Sequence, residues 1–463
     1  MNTSPSPAQE KISPLFTDLY ELNMAAAYFS EGMDDEVTFE LSIRGLPKDR
    51  GFLVVAGLEQ TVAFLRQMRF PAEDLDYLRR TRKYDGRFLE YLGRLRFTGD
   101  LWAMPEGELA FANEPLIQIT APRIQAQIIE TMLLNNTTLQ TMLATKATRV
   151  VLAAQGRQVI DFSARRDHGI DAAMKAARAS FIGGCKGTSN VLAAKRFGIP
   201  AYGTMAHSFI LSFPDELQAF RSYASSYPDG SVLLIDTYDI SRGTAHAIIV
   251  GKELGEKGHQ LRGVRIDSGD FVEESQKVRR RLDEAGLTGV KILCSGNLDE
   301  YAIAKIEEAK APVDIYGVGT AMGTSNDAPS LNSIYKLVEQ RQDGKSQGVW
   351  KQSENKGSLP LRKQVFRSYE KGMMKEDTLG LHSEKPDNRA EPLLRQYLKR
   401  GQLTAELPSL GQIQAFAAQR IKRLPKGYLG LTAPLTYPVK MSQGLQEQAA
   451  LLRTDKNLTR DRR

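Results

Sequence analysis

Residues 158–208 read QVIDFSARRDHGIDAAMKAARASFIGGCKGTSNVLAAKRFGIPAYGTMAHS, and this stretch decides the fold class. An apolar run ends in Arg165 and Arg166, a helical segment and a glycine-rich turn follow, and a second apolar run ends in His207. In parallel α/β sheets and barrels, binding sites form at the carboxyl ends of the strands. Because all three side chains come just after a predicted strand, we expect them to face one site.

The alternation of strand-like and helical segments continues to about residue 319. Apolar runs occur at seven places, which read QVIDFS, FIGGC, IPAYG, SVLLID, LRGVRID, VKILCSG and VDIYGVG. Helical segments between most of them predict βαβ units in a parallel sheet, and we prefer a (β/α) barrel to an open doubly wound sheet. The lack of a GxGxxG motif after the first strand weighs against a dinucleotide fold. IYKLVEQ is either an eighth strand or the beginning of the C-terminal region.

The flanking sequence predicts further parts of the chain. Residues 11–121 combine helices, strands and turns and predict an N-terminal, β-rich α+β domain, and residues 122–154 predict a helix that leads into the barrel. The barrel is predicted over residues 155–338. Residues 339–463 predict a C-terminal extension that packs on the N-terminal domain or on the barrel. In this extension we expect polar hairpins and two helices, near residues 393–400 and 412–420.

Composition limits the class of protein. The chain has 463 residues, of which 41% are hydrophobic and 25% charged, as in ordinary globular proteins. A net charge of +7 without a clustered basic face predicts no nucleic-acid partner. With no run of 18 apolar residues and no signal-peptide core, we expect no membrane span. The chain has only two cysteines, too few for a disulfide framework or a cysteine-based zinc site, which favours the cytoplasm.

Charged residues and glycines follow the later strands. Arg265 and Asp267 are two residues apart, so both face one side of a strand while Ile266 faces the other. A charged pair is costly in a core and natural in a binding site. Glycine-rich turns after the last two strands leave backbone N–H groups free to bind a phosphate, at the place where barrels often bind one. The residues of this predicted phosphate site are Gly296, Asn297, Gly319 and Thr320.

Each of these residues also has a purely structural explanation. His207 alone could be a core histidine bonded to a backbone carbonyl, and Arg165 could form a surface ion pair. Asp267 could cap the helix that follows it. Cys185 and Cys294 are better explained as small buried residues than as nucleophiles. The pattern therefore predicts a site and a phosphorylated ligand, and it leaves the identity of the ligand open.

The chain resembles the nicotinate phosphoribosyltransferase family in a series of motifs that keep their order. They read TDLYELNMAAAYF, FELSIRGLP, ETMLLNNTTLQTMLATKATR, DFSARR, FIGGCKGTSNVLAAKRFGIPAYGTMAHSF, GVRIDSGD and GVGTAMGTSNDAPSLNSIYKLVE, between residues 17 and 339. The resemblance implies an irregular seven-stranded α/β barrel with an N-terminal β-rich domain, in a homodimer with shared active sites. It implies phosphoribosyl transfer from 5-phosphoribosyl 1-pyrophosphate to nicotinate, the first step of NAD salvage from nicotinate. Mg²⁺ and ATP, the latter as co-substrate, are implied with it.

The resemblance also implies roles for individual residues. His207 would be transiently phosphorylated, and Asp267 would hold ribose hydroxyls or Mg²⁺; with Arg265 these are the expected catalytic residues. Tyr20, from the partner subunit, would stack on the pyridine ring, and Arg44 would face the pyrophosphate. The expected nicotinate contacts are Arg165, Thr204 and Arg265, and the expected ribose 5-phosphate contacts are Gly296, Asn297, Gly319 and Thr320.

The sequence leaves three alternative functions open. A nicotinamide phosphoribosyltransferase would share the fold and the chemistry, and it would need an acidic or amide partner for a neutral ligand. A barrel lyase or isomerase acting on a sugar phosphate would need a lysine or carboxylate base in the barrel mouth. A catalytically silent ligand sensor would not need the four side chains Arg165, His207, Arg265 and Asp267 that this chain retains.

Overall fold

The structure, a computed structural model, divides into two compact units. The first contains Met1–Met142 and Ser330–Arg463, and the second contains Leu143–Pro329. The structure describes residues 12–342, 344–350, 359–385 and 389–460, and it describes only the backbone of 453–460.

The N-terminal part of the first unit opens with a helix that Asp18 precedes as N-cap residue. Short strands and amphipathic helices then alternate, with Asp85 capping the last of three successive helices through a bond from Arg87 N. The elements of this part are α1 (Leu19–Ser30), β1 (Glu36–Ile43), β2 (Leu53–Val54), α2 (Leu58–Gln67), α3 (Ala72–Thr81), α4 (Gly86–Arg94), β3 (Asp100–Ala103), β4 (Leu109–Ala110), β5 (Pro115–Pro122) and α5 (Arg123–Gln127).

Helix α6 (Glu130–Ala153) contains the point at which the chain passes into the second unit. The second unit then alternates strands and helices. Its elements are β6 (Gln158–Asp161), α7 (Ile170–Ile182), β7 (Gly187–Thr188), α8 (Val191–Phe197), α9 (His207–Leu211), α10 (Glu216–Ser226), β8 (Val232–Leu234), α11 (Ile240–Glu256), β9 (Gly263–Ile266), α12 (Phe271–Glu284), β10 (Lys291–Ser295), α13 (Glu300–Glu308), β11 (Ile315–Val318) and α14 (Thr320–Gly323).

The strands of the second unit form one parallel sheet in the order β7-β6-β11-β10-β9-β8. The predicted parallel sheet and its βαβ units are therefore confirmed. Aspartates begin four of the helices, because the carboxylate accepts bonds from free backbone N–H groups of the first turn. These N-caps are Asp215, Asp239, Asp270 and Asp299.

Two of the seven predicted strands are wrong. Phe181 and Ile182 of FIGGC end helix α7, because the alanine-rich helical period continues to them and Gly183 caps it. The IPAYG segment contributes one isolated bridge, between Ala201 and Thr188. Within the described residues the sheet ends at β7 and β8, so a closed barrel is not confirmed. What the structure supports is a mixed α/β chain with a parallel sheet and an N-terminal β-rich part.

The chain returns to the first unit after Pro329 and adds a second set of strands. The elements are β12 (Ser333–Gln342), β13 (Lys345–Gly348), β14 (Lys363–Glu370), β15 (Met373–Leu381), β16 (Glu391–Pro392), β17 (Arg395–Lys399), β18 (Gln402–Leu403), α15 (Leu410–Arg423), a 3₁₀ turn (Lys426–Tyr428), β19 (Val439–Met441) and α16 (Gln443–Arg460).

Strands from both ends of the chain form a seven-stranded sheet in the order β13-β12-β1-β5-β3-β17-β18. IYKLVEQ lies in β12, which pairs antiparallel with β1, so it begins the C-terminal region and is not an eighth parallel strand. The prediction of a helix near residues 393–400 is wrong. This segment forms strand β17, whose backbone hydrogen-bonds to β3. The helix expected near residues 412–420 is confirmed as α15. A four-stranded sheet, β16-β14-β15-β19, and a pair, β2-β4, complete the unit.

A buried ion network joins the two chain segments of the first unit. Arg367 on β14 is fully buried and donates hydrogen bonds to Glu108 Oε1 at 2.6 Å, Asp377 Oδ2 at 2.6 Å and the Leu109 carbonyl at 2.8 Å. Burial and the negative charge of Asp377 raise the pKa of Glu114 well above its ordinary range. The raised pKa favours the neutral form of Glu114, and this reduces the excess of negative charge around Arg367.

The helices that the structure describes differ from a membrane-spanning helix in length or in apolar character. The 24-residue α6 contains Lys146 and Arg149 in its second half. Across the ranges that the structure describes, no helix combines the length and the apolar character that crossing a bilayer requires.

Candidate active site

Arg265, at the carboxyl end of β9, is the centre of a hydrogen-bond network in the second unit. Its Nε donates to Ser295 Oγ at 2.7 Å, its Nη1 to Thr204 Oγ1 at 3.0 Å and its Nη2 to Asp267 Oδ1 at 2.5 Å. The side chain is only 14% exposed. Because three fixed acceptors hold one planar guanidinium, its orientation is set before any ligand arrives.

Asp267 is a half-buried carboxylate that stays ionised. Burial alone would raise its pKa, but the hydrogen bond from Ser295 and the charge and hydrogen bond of Arg265 outweigh it and lower the pKa below the ordinary value. Its backbone N–H donates to Asp236 Oδ2 at 3.0 Å. A fixed negative charge at this position suits a cation, a hydroxyl donor or a developing positive charge.

His207 is the first residue of α9 and faces Asp267. Its Nδ1 lies 3.1 Å from Thr237 Oγ1, and its Nε2 lies 3.9 Å from Asp267 Oδ2. The side chain is 42% exposed, so a ligand can reach it. The structure therefore joins four residues predicted from the sequence, Thr204, His207, Arg265 and Asp267, into one cluster.

Three further residues of this cluster were not predicted as site residues. Ser295 and Thr237 hold Arg265 and His207, as described above, and Asp236 Oδ2 also accepts from Ser268 Oγ at 2.6 Å. The other oxygen of Asp236 is buried, and no described group bonds to it. All three directly end or follow β8 or β10, so the strand-end rule places them beside the site, but the sequence pattern assigns none of them a role.

The glycine turns after β10 and β11 have a sterically restricted backbone. Gly296 (φ +92°) and Asn297 (φ +47°) both lie in the left-handed region. A Cβ at position 296 would stand 2.2 Å from the Asp267 carbonyl oxygen, so this position requires glycine. Gly319 precedes α14, which starts at Thr320, and passes close to the Phe162 carbonyl. Both predicted phosphate turns thus lie at carboxyl ends of neighbouring parallel strands, β10 and β11.

Arg165 lines a cleft of about 400 Å³ beside β6. The cleft is also lined by Asp167, Ile170, Met174 and Asn190. Arg165 is exposed, and none of the described side chains pairs with it. An unpaired guanidinium at the mouth of a partly apolar cleft suits a carboxylate on an apolar ring.

Asp167 gives the same cleft a titratable group. Burial and the charge of Asp161 raise the pKa of Asp167 to about 6. Its Oδ2 accepts from Ser163 Oγ at 3.0 Å. Gly323 must be glycine here, because a Cβ at that position would stand 2.3 Å from Ser163 Cβ, which cannot move without its backbone, as well as 2.0 Å from Asp167 Oδ1.

Tyr20 and Arg44 belong to the first unit. Tyr20 lies on α1 and is 48% exposed, while the next residue, Glu21, is fully buried and accepts from Thr131 N at 3.1 Å and from Thr131 Oγ1 at 2.6 Å. Partial burial and the charges of Glu130 and Glu21 raise the pKa of Tyr20 above its ordinary range. Arg44 follows β1 and is half-buried. Tyr20 is thus presented to the outside of its unit by a helix anchored through Glu21.

The cluster offers few protein ligands for a metal. Within the described part of the chain, no group of three or more His, Cys, Asp or Glu side chains could hold a metal ion. Any divalent cation at this site would therefore need oxygen ligands from a substrate as well.

Comparison with known proteins identifies the family. A family profile described as "Nicotinate phosphoribosyltransferase (NAPRTase) family" matches residues 157–396. The chain belongs to the nicotinate phosphoribosyltransferase family. Profiles for the NAPRTase N-terminal and C-terminal domains match residues 15–138 and 386–449.

Named relatives match over nearly the whole chain. Nicotinate phosphoribosyltransferase pncB2 of Mycobacterium tuberculosis is 45% identical, over 96% of this chain and 95% of its own length. The nicotinate phosphoribosyltransferase of Bacillus subtilis is 39% identical, over 93% of each chain. The crystal structure of human nicotinic acid phosphoribosyltransferase superposes with a TM-score of 0.84 at 31% identity, over 95% of this chain and 99% of that one. The resemblance found in the sequence motifs is therefore confirmed, and it favours nicotinate phosphoribosyl transfer over the three alternatives.

Proposed function

We propose that this chain transfers the phosphoribosyl group of 5-phosphoribosyl 1-pyrophosphate to nicotinate, releasing pyrophosphate and forming nicotinate mononucleotide. ATP is hydrolysed to ADP and phosphate alongside, and the reaction begins NAD salvage from nicotinate. The observation that carries the proposal is the Arg265–Asp267–His207 cluster, in a chain 45% identical to a nicotinate phosphoribosyltransferase.

The transfer needs no protein nucleophile at the sugar. The bond between ribose C1 and the pyrophosphate oxygen breaks, C1 gains positive charge, and the pyridine nitrogen forms the new bond to C1. We assign the nicotinate carboxylate to Arg165, with Thr204 and Arg265 completing that site. Asp267 then faces the ribose, where its ionised carboxylate stabilises the positive charge through positioning and electrostatics.

The phosphate of the ribose is assigned to the two glycine turns. Gly296–Asn297 and Gly319–Thr320 supply backbone N–H groups and, at Thr320, a hydroxyl. The pyrophosphate is assigned to Arg44. Support for the phosphate assignment is the adjacency of β10 and β11, since it places both turns at the same edge of the sheet.

The phosphoryl group of ATP is assigned to Nε2 of His207. Thr237 engages Nδ1 at 3.1 Å, which leaves Nε2 as the free nucleophilic nitrogen. An N–P bond forms as the bond from the γ-phosphorus to ADP breaks, and water later cleaves the N–P bond to release phosphate. Because a phosphorylated His207 would bring negative charge beside Asp267, the phosphorylated and free forms should differ in their affinity for pyrophosphate.

Mg²⁺ fits the residues that the structure brings together. Asp267 Oδ2 lies 3.9 Å from His207 Nε2, beyond hydrogen-bond distance, and Asp236 Oδ1 has no described partner, so both carboxylate oxygens can contribute to a cation site. Mg²⁺ binds through one or two carboxylates together with substrate phosphates. When bound, it would neutralise charge on the pyrophosphate leaving group.

The assembly we propose is a homodimer in which Tyr20 of the partner subunit covers the pyridine ring. Exposed apolar side chains beside the Arg165 cleft support this homodimer, because such side chains often mark a protein interface. Ile170 is 82% exposed and Leu192 is 58% exposed. Mixing the impaired Tyr20→Ala and Arg165→Ala proteins after dissociation, and assaying them at nicotinate concentrations well below the raised KM, tests the shared site. A shared site predicts partial recovery of activity from a mixed dimer, and a site within one chain predicts none.

Two further expectations from the sequence, the barrel and the cytoplasmic location, belong to the same proposal. The row of parallel strands, extended by the Thr188–Ala201 bridge, supports an irregular barrel as the frame of the site. The buried free thiols of Cys185 and Cys294 support a reducing compartment such as the cytoplasm.

The function is tested by pyrophosphate release from phosphoribosyl pyrophosphate, with nicotinate, nicotinamide or quinolinate offered in turn, with and without ATP. We expect release only with nicotinate, and faster release with ATP. Preference for nicotinamide or quinolinate, or release that depends on no pyridine, would contradict the proposal.

A further inference from the structure

Helix α6 places two buried cations on one face, at positions 146 and 149. The Lys146 side chain is 1% exposed and that of Arg149 is 3% exposed. Residues three apart on a helix point the same way. Neither residue belongs to the proposed substrate contacts, so their burial needs another explanation.

The partners of these cations come from two distant segments of the second unit. Lys146 Nζ donates to Glu300 Oε2 at 2.5 Å and to Asp327 Oδ1 at 2.8 Å. Arg149 Nε donates to Glu300 Oε1 at 3.0 Å, and its Nη2 to the Tyr301 hydroxyl at 3.2 Å. One ammonium group thus bridges two carboxylates, and the second cation binds the other oxygen of Glu300.

Each carboxylate lies just after one of the glycine turns. Glu300 begins α13, three residues after Asn297, and it is fully buried. Asp327 lies seven residues after Thr320, past the one-turn helix α14. Lys146 therefore ties together the two chain segments that follow β10 and β11.

Stability alone gives little reason for this arrangement. A buried ion pair loses about as much hydration energy as it gains in attraction, and apolar replacements of equal volume are often neutral. What such a pair does supply is a fixed distance between its partners. A fixed distance matters here because Gly296 and Asn297 are both held in left-handed conformations.

We propose that Lys146, assisted by Arg149, is a positioning residue that sets the spacing between the two phosphate-binding turns. The inference rests on the proposed function, since it takes Gly296–Asn297 and Gly319–Thr320 as the phosphate cradle. Lys146 acts through Glu300 and Asp327 and touches no substrate. Its loss should weaken the binding of the ribose phosphate and spare the nicotinate contacts at Arg165.

The test compares Lys146→Met with Lys146→Arg and with the exposed control Lys277→Met. We expect Lys146→Met to raise KM for phosphoribosyl pyrophosphate about tenfold or more, a loss of about 1.4 kcal/mol, with KM for nicotinate within about twofold. Lys146→Arg should recover much of the loss because it keeps the charge, and Lys277→Met should behave as wild type. Asp327→Asn, which leaves the Lys146–Glu300 pair intact, replaces Lys146→Met if that variant does not fold.

Calorimetric binding of ribose 5-phosphate is the second readout and does not depend on turnover. If wild type makes no nicotinate mononucleotide yet Lys146→Met weakens ribose 5-phosphate binding, the inference stands and the proposed function fails. If wild type is active and the folded Lys146→Met protein binds both substrates normally, the inference is wrong. An equal rise in both KM values, or no ribose 5-phosphate binding by wild type, also overturns it.

Discussion

Nε2 of His207 lies 3.9 Å from Oδ2 of Asp267, and the other oxygen of that carboxylate is held by Arg265 at 2.5 Å. One carboxylate thus separates a fixed guanidinium from an exposed imidazole. The arrangement places a permanent negative charge between the residue proposed to accept a phosphoryl group and the residue proposed to complete the nicotinate site.

Replacing Asp267 by Asn should reduce kcat/KM for phosphoribosyl pyrophosphate by about 100-fold or more, since a fixed charge at a reacting centre is worth about 3 kcal/mol. The substitution keeps the shape of the side chain and removes its charge. Asp270→Asn is the matched control, because Asn also caps a helix well. Equal kcat/KM in both variants would remove Asp267 from the catalytic cluster.

Replacing His207 by Ala should abolish the coupling of ATP hydrolysis to nicotinate turnover. ADP release in the presence of both substrates should fall to background, and slow transfer without ATP should persist, because His207 makes no bond to the sugar in the proposed reaction. His259, an exposed histidine paired with Asp229, supplies the control His259→Asn. Full ATP stimulation of the His207 variant would refute the phosphohistidine assignment.

Replacing Arg165 by Ala should raise KM for nicotinate by about 10- to 100-fold, since a charge-assisted hydrogen-bonded pair is worth about 1.5–3 kcal/mol. KM for phosphoribosyl pyrophosphate should change little. Arg280→Ala, on the exposed face of α12, controls for the loss of a surface charge. An unchanged KM for nicotinate would mean that another residue holds the carboxylate.

The stability of the second unit should depend on the ionisation of Asp167. Burial and the charge of Asp161 raise its pKa from an ordinary 3.8 to about 6. The folded state favours the neutral form of Asp167. The stability that this neutral form contributes is therefore fully present below pH 3.8 and is lost as the pH rises through about 6. The Asp167→Asn variant stays neutral, so its stability relative to wild type should rise between pH 4 and pH 8, by about 1–2 kcal/mol once solvent screening of this partly exposed group is allowed for.

Urea unfolding at a series of pH values measures this gain. The exposed Asp171, paired with Lys175, supplies the control Asp171→Asn, which should show no such trend. A difference between Asp167→Asn and wild type that stays constant with pH would show that Asp167 titrates normally.

In the first unit, Arg367→Met should destabilise the fold by about 3–5 kcal/mol, because it leaves Asp377 buried without its cation and removes one of the two cations that pair with Glu108. Glu114→Gln should cost less than about 1 kcal/mol, because the raised pKa of Glu114 favours the neutral acid and the amide has the same shape. Denaturant unfolding of both variants decides the matter. A large loss in Glu114→Gln would indicate that Glu114 is ionised in the folded protein.

The parallel sheet was predictable because buried strands and amphipathic helices differ in local period. The same reasoning failed at FIGGC, where a short apolar run ends a helix, and near residue 395, where a segment taken as helix pairs with β3. Short runs carry too few residues to show a period, so their state depends on which partner strand is near. The resemblance of the motifs to one family was sufficient to predict the activity that the relatives' names carry.

The sequence by itself determined the family, the βαβ order and the residues after each strand, because these depend on local patterns and on motif order. Only the tertiary structure decided that Thr204, His207, Arg265 and Asp267 form one bonded cluster with Ser295, Thr237 and Asp236. It also decided that Lys146 joins Glu300 and Asp327, more than 150 residues away. Hydrogen bonds and ion pairs act over about 3 Å in space, and no local pattern encodes which distant segments approach that closely.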